Sequence, residues 1–153
     1  MNKKKQIAII TGGAKRIGAS ICRRLHKANI DLIIHYKSSS KEAKLLQNEL
    51  NEKRKNSASL IQADLLESKS YSKIINEAIK IYGQLNFLVN NASSYYPTTI
   101  NKINESNWND LIGSNLKAPL FLCKEAAPFL KKNNGAIINI TDVHITNPKE
   151  NYI

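Results

Sequence analysis

At 153 residues the chain fits one domain around a single buried core, and its 42% hydrophobic and 23% charged content is too apolar for wholesale disorder. A formal charge of +11, from 23 Lys+Arg against 12 Asp+Glu, raises nucleic acid, a membrane surface or an anionic small ligand. Only Lys3-Lys4-Lys5 and Lys53-Arg54-Lys55 form basic runs, and neither is interleaved with aromatics that would stack bases, so a solvated basic surface is expected and nucleic acid is not.

The apolar stretch Ile7 to Ile10 is too short for a secretory h-region, and nothing else approaches a membrane span. Cys22 and Cys123 lack CxxC or His-ligand spacing, which suits small buried hydrophobes in a reducing compartment. A cytoplasmic location follows as an expectation. His26, His35 and His144 show no metal spacing, so no metal is expected and all three read as structural or exposed.

In chain order, Gln6 to Thr11 reads as a strand, and Ile17, Ile21, Leu25 and Ala28 then fall on one helical face. Asp31 to Tyr36 is a second strand, followed by a charged helix at about 40–55, a strand at about 58–63, a helix at about 68–82 and a strand at Leu85 to Asn90. A long apolar helix is predicted from about Asn107 to Lys132, with kinks at Pro119 and Pro128. Asn133-Asn134-Gly135 closes it, with Gly135 suited to a left-handed cap, and Ala136 to Thr141 is a fifth strand. Tyr71, Tyr82 and Trp108 sit at helical positions and read as packing residues.

This alternation is the pattern of βαβ units. Right-handed crossovers give a doubly wound α/β parallel sheet of order 3-2-1-4-5, with ligands at the C-terminal strand edge. Thr11-Gly12, Lys37-Ser38, Asp64, Asn90-Asn91 and Thr141-Asp142 all follow strands, so five polar clusters converge on that edge.

The turn Thr11-Gly12-Gly13-Ala14-Lys15-Arg16-Ile17-Gly18 lies between a strand and a helix, where glycines let the backbone approach a pyrophosphate and helix N-terminal amides stabilise its charge. It is not GxGxxG: Arg16 stands where many dinucleotide folds carry Gly. The second strand ends His35-Tyr36-Lys37-Ser38-Ser39, without the carboxylate that holds a ribose 2′-hydroxyl in NAD sites. Lys37 and the serines offer a cation and hydroxyl donors to a 2′-phosphate, with Lys15 and Arg16 adding charge; the alternative for Lys37 is a solvated lysine.

On these residues the chain resembles the short-chain dehydrogenase/reductases throughout its length. Thr11-Gly12 with Gly18, Asp64-Leu65, Asn90-Asn91-Ala92, Asn115 and Ile138-Asn139-Ile140 carry the resemblance together. It implies a Rossmann-like domain over 1–153, with Asp64 and Leu65 near the adenine, Asn91 and Ala92 along the cofactor, and Asn115 anchoring a water-linked proton relay. A narrower resemblance is to the pteridine reductases and related dihydropteridine-type reductases. Gly13-Ala14-Lys15-Arg16-Ile17-Gly18, His35-Tyr36 and Asn90-Asn91-Ala92-Ser93-Ser94-Tyr95-Tyr96-Pro97-Thr98 carry it.

That resemblance implies that Ser93 hydrogen-bonds a pterin and Tyr95 stacks on it. Asp142 stands where most of the wider family has Ser and pteridine reductases have Asp, so it is expected to help deliver a proton to a ring nitrogen. The alternative is that Asp142 caps a loop. The expectation is therefore an NADP(H)-dependent reductase of a pterin or dihydrofolate-like substrate. Gly12, Lys15, Arg16, Ile17, Gly18, Lys37, Ser38, Asp64, Leu65, Asn91, Ala92 and Ser93 are placed at the cofactor, Arg16, Ser93, Tyr95 and Asp142 at the substrate, and Asn115 and Asp142 in catalysis.

Family spacing puts the catalytic Tyr about two residues past Ile153 and its Lys four further on. The expectation is a C-terminally incomplete, inactive chain, with Leu120, Phe121 and Phe129 left uncovered and a homo-oligomeric parent. The rivals are a short-chain reductase of another carbonyl or sugar alcohol, in which Tyr95 and Asp142 are incidental, and a non-catalytic dinucleotide-binding remnant.

Overall fold

The structure is a computed structural model that describes residues 5–152; Met1 to Lys4, with most of the first basic run, and Ile153 lie outside the described residues. Strands and helices alternate as β1 (Gln6–Ile10), α1 (Arg16–Lys27), β2 (Ile30–Tyr36), α2 (Ser40–Lys53), β3 (Ala58–Gln62), α3 (Lys69–Tyr82), β4 (Phe87–Asn90), α4 (Glu105–Ile112), α5 (Ala118–Lys132) and β5 (Ala136–Asn139). The five strands are parallel in the order β3-β2-β1-β4-β5, as the alternation predicts.

Strand pleating divides the core into two layers. Ile9, Ile33, Ile61 and Leu88 point to one face and pack with Ile74, Ile75 and Ala78 of α3 and Leu122, Ala126 and Leu130 of α5. Ala8, Ile10, Leu32, Ile34 and Val89 point to the other, against Cys22 of α1 and Leu46 and Leu50 of α2. Both faces being covered, β2 is buried along its whole length. Each fully buried Ile or Leu contributes about 1.5–3 kcal/mol.

Several expectations are corrected. Ile21 and Leu25 pack on the core as expected, but the fully buried residues of α1 are Gly18, Ala19, Cys22 and His26; Ile17 is 62% exposed, and Ala28 lies past the helix end. Small residues face the sheet because the helix start must sit close to the turn that precedes it. The long helix leaves α geometry at a π turn, Gly113–Lys117, which holds Asn115, the residue whose carbonyl the missing N–H and the ring of Pro119 disturb, while α5 runs on through Pro128. At the end of α5 the left-handed residue is Asn134 (φ 48°), and Gly135 is required instead because a Cβ there would overlap the Asn86 carbonyl.

In the second basic run Lys53 and Lys55 are exposed, as expected, but Arg54 is half-buried, pairs with the buried Asp31 and donates to the Ile30 carbonyl at 2.8 Å. Tyr71 and Tyr82 are packed and hydrogen-bonded, but Trp108 is 56% exposed, against the packing expectation. On the β5 side Leu120, Phe121, Ile137 and Ile138 are exposed, whereas Phe129 packs on the core. No helix among the described residues is long and apolar enough to cross a membrane.

Candidate cofactor site and its flank

The loop after β1 is pinned by Thr11. Its hydroxyl donates to the Val89 carbonyl at 3.3 Å and accepts the amides of Asn91 and Ala92 at 2.9 and 3.0 Å. The Asn91 side-chain amide donates back to the carbonyls of Thr11 and Gly12, at 2.9 and 3.2 Å. Gly12 turns the chain with φ 59°, a conformation that costs other residues about 1 kcal/mol or more. At Gly18 a Cβ would overlap the Gly12 carbonyl and lie 2.8 Å from Asn91 Nδ2, so only glycine lets α1 start against the turn.

Arg16 opens α1 with φ 48°, which explains why this place suits glycine elsewhere. Lys15, the N-cap, makes no side-chain capping bond, and the first turn holds no acidic residue. The first amides of α1 therefore present an uncapped, positive helix end, which suits a bound anion.

This helix end opens onto a cleft of about 550 Å³. Every residue assigned from the sequence to the cofactor lines it: Gly12, Lys15, Arg16, Ile17, Gly18, Lys37, Ser38, Asp64, Leu65, Asn91, Ala92 and Ser93. Ile17 is exposed because it forms part of this wall. His35, Tyr36, Ser39, Ser94, Asp110 and Ser114 join the lining and were not assigned to it.

Two of the three cations carry their own counter-ions. Lys37 Nζ lies 2.9 Å from Asp64 Oδ2, and Lys15 Nζ lies 3.0 Å from Glu42 Oε1. Burial would raise the Asp64 carboxyl, but the Leu66 amide and the Lys37 ammonium outweigh it and hold Asp64 below the usual carboxylate range. Glu42 is held low chiefly by its own backbone amide and by Lys15.

His35 is buried in β2 beneath the cleft. Gly12 N–H donates to its Nδ1 at 3.2 Å, and its Nε2 lies 3.1 Å from the Ala63 carbonyl. Burial pulls its imidazole down to about 4, although the Ala63 carbonyl and the Asp64 carboxylate both favour the proton. The signal in the sequence was a polar residue set directly after the apolar stretch Leu32 to Ile34 of a strand buried along its length.

Beyond β4 the remaining assigned residues do not meet at the cleft. Asn115, in the π turn, spends both amide atoms on the backbone of one residue: Nδ2 donates to the Ser94 carbonyl at 2.8 Å and Oδ1 accepts the Ser94 amide at 3.1 Å. The Ser94 hydroxyl donates to Asp110 Oδ1 at 3.0 Å, so this network positions the loop after β4. Tyr95 is half exposed and stacks on Tyr152, with ring centres 4.5 Å apart. Asp142 is exposed and accepts the His144 amide at 2.8 Å, capping the 3-10 turn Val143–Ile145. That contact is the one the loop-cap alternative describes.

A doubly wound parallel sheet with a glycine turn, an uncapped helix start and a cleft across β1, β2 and β4 defines a dinucleotide-fold protein. The chain matches the short chain dehydrogenase family over residues 6–153 and belongs to it. Its curated relatives include the 3-oxoacyl-[acyl-carrier-protein] reductase FabG of Staphylococcus aureus, 30% identical over 155 residues, covering 99% of this chain and 63% of that protein. Pteridine reductase 1 of Leishmania tarentolae is also 30% identical, over 184 residues, covering 95% of this chain and 64% of the relative. The chain thus spans under two thirds of the length of these relatives.

Proposed function

We propose that the cleft takes NADP(H) and that the enzyme to which this chain belongs passes hydride to a pterin or dihydrofolate-like ring. The observation that supports this most is the meeting, in one cleft, of the uncapped, acid-free start of α1 with Lys37 and Ser38 at the end of β2. The amides of α1 and Arg16 would hold the pyrophosphate, Lys37 and Ser38 the 2′-phosphate, and Asp64 and Leu65 the adenine end. Bound there, the dinucleotide would supply the hydride.

For the pterin, Ser93 would hydrogen-bond the ring, Tyr95 would stack on it, and Asp142 would serve a ring nitrogen. That requires Tyr95 to part from Tyr152 and Asp142 to release the His144 amide. A second reading, reduction of a 3-oxoacyl thioester, draws support from the FabG relatives and from that capping role of Asp142. A cytoplasmic homo-oligomer is proposed in either case.

Fluorescence titration with NADPH and NADH, followed by turnover of dihydrobiopterin, dihydrofolate and a short 3-oxoacyl thioester, tests the proposal. It expects NADPH to bind at least about tenfold tighter than NADH, roughly 1.4 kcal/mol, and the pterins to be reduced. Thioester turnover without pterin turnover selects the second reading. Cofactor binding with no turnover of any substrate by the enzyme supports a non-catalytic module.

A further inference from the structure

We infer that His35 is a positioning residue for the cofactor: its neutral ring, protonated at Nε2, holds the glycine turn after β1 at a fixed spacing from the adenine-side loop after β3. The inference rests on the dinucleotide reading of the cleft.

The argument begins with placement. His35 is the second-last residue of β2, 2% exposed, on the strand flanked by β1 and β3. The strand ends there are tied by backbone bonds, Gly13 N–H to the His35 carbonyl at 2.9 Å and Ala63 N–H to the Tyr36 carbonyl at 3.1 Å. The imidazole adds a bond outward to each neighbour. Gly12 donates to Nδ1 from the β1 side, and Nε2 meets the Ala63 carbonyl on the β3 side, one residue before Asp64.

Only one protonation state satisfies both contacts. An N–H donor needs a lone pair opposite it, so Nδ1 carries no proton; a carbonyl needs a donor, so Nε2 does. The Nδ1–H tautomer would set N–H against N–H and lone pair against lone pair. The imidazolium would keep the Ala63 bond and lose the Gly12 bond. Burial, which holds the ring neutral well below its ordinary value despite the nearby Asp64 carboxylate, acts in the same sense.

The need for this bridge arises at Gly12. Its part-buried N–H finds its acceptor in the ring, and a donor shielded from water without an acceptor is costly. An aliphatic side chain at 35 would continue the run of β2 but leave that amide, and the Ala63 carbonyl, without these partners. Gly12 and Asp64 both line the cleft, so the ring couples the pyrophosphate end of the site to its adenine end.

Long-range ¹H–¹⁵N NMR of the imidazoles, together with NADPH titrations of wild type, His35→Phe and His35→Gln, tests this. The expected spectrum is a neutral Nε2–H ring throughout pH 5–8; a protonated Nδ1 at pH 7 overturns the inference. His35→Phe keeps the burial and loses both bonds, and should weaken NADPH at least about tenfold. His35→Gln, with one carboxamide in place of the ring, should recover part of that loss. A purely packing role predicts a lower Tm with unchanged NADPH affinity of the folded protein, which also overturns it. If His35→Phe does not fold, the wild-type tautomer decides. Should wild type bind neither NADPH nor NADH, the dinucleotide reading fails, while the spectrum still decides whether the ring bridges the two loops.

Discussion

The loops after β1, β2 and β3 and the loops after β4 and β5 differ in how their polar side chains are used. On the first side Thr11 and His35 spend their hydrogen bonds on backbone, with Asn91 reaching across from the start of the β4 loop, leaving the α1 amides, Arg16 and Ser38 facing an open cleft. On the second side Asn115, Tyr95 and Asp142 are engaged with neighbouring loop residues, and β5 is exposed along its length. A binding surface is preorganised where covered strands fix the loops from beneath; the β5 flank lacks that cover among the described residues.

The largest expected effect comes from acid. His35 has a folded value of about 4, below its unfolded 6.5, so its contribution is complete above pH 6.5 and lost as pH falls toward 4. Urea unfolding between pH 7 and 4 should show a loss approaching about 3 kcal/mol from this group, removed in His35→Phe. A pH-independent difference between the two proteins would break the assignment of a neutral buried ring.

Next is the close approach of α1. Gly18→Ala places a methyl against the Gly12 carbonyl and Asn91, and should lower stability by about 2 kcal/mol and disrupt NADPH binding. Wild-type unfolding and NADPH titrations would show that the turn has room after all. Lys37→Asp should then reduce the NADPH-over-NADH preference about tenfold, about 1.4 kcal/mol, by repelling the 2′-phosphate. An unchanged ratio of dissociation constants would return Lys37 to the role of a solvated partner of Asp64.

On the opposite flank Tyr95→Ala should weaken a dihydropterin by about 1 kcal/mol while leaving NADPH untouched. Equal losses for both ligands would merge the two regions into one structural unit. The smallest effect is at Arg16, whose left-handed φ of 48° is strained. Arg16→Gly should raise the unfolding free energy slightly, by about 0.5 kcal/mol, yet weaken NADPH through the lost charge. Tighter NADPH binding by this variant would remove Arg16 from the site.

Strand order and the residues of the cleft were legible because both follow from local chemistry. Apolar runs flanked by turn residues mark the strands, and the polar residues that follow them collect on one sheet edge whatever the details of packing. The helix break near Asn115 was only partly legible: Pro119 marks it, because a proline disturbs the carbonyl four residues earlier, whereas Pro128 lies within α5 without ending it. The face of α1 was legible at Ile21 and Leu25 but misread at Ile17, because apolar periodicity favours it whereas close packing against a glycine turn selects Gly18, Ala19 and Cys22.

The sequence by itself determined the alternation, the parallel sheet, the family and the set of residues around the cleft, since these depend on spacing and side-chain type. Only the tertiary structure decided how the polar groups are used. It paired Lys37 with Asp64 and Lys15 with Glu42, closed the His35 ring between Gly12 and Ala63, and turned Asp142 onto the His144 amide. Hydrogen bonds and ion pairs are decided by distances of a few tenths of an ångström between residues far apart in the chain, and no sequence spacing encodes those.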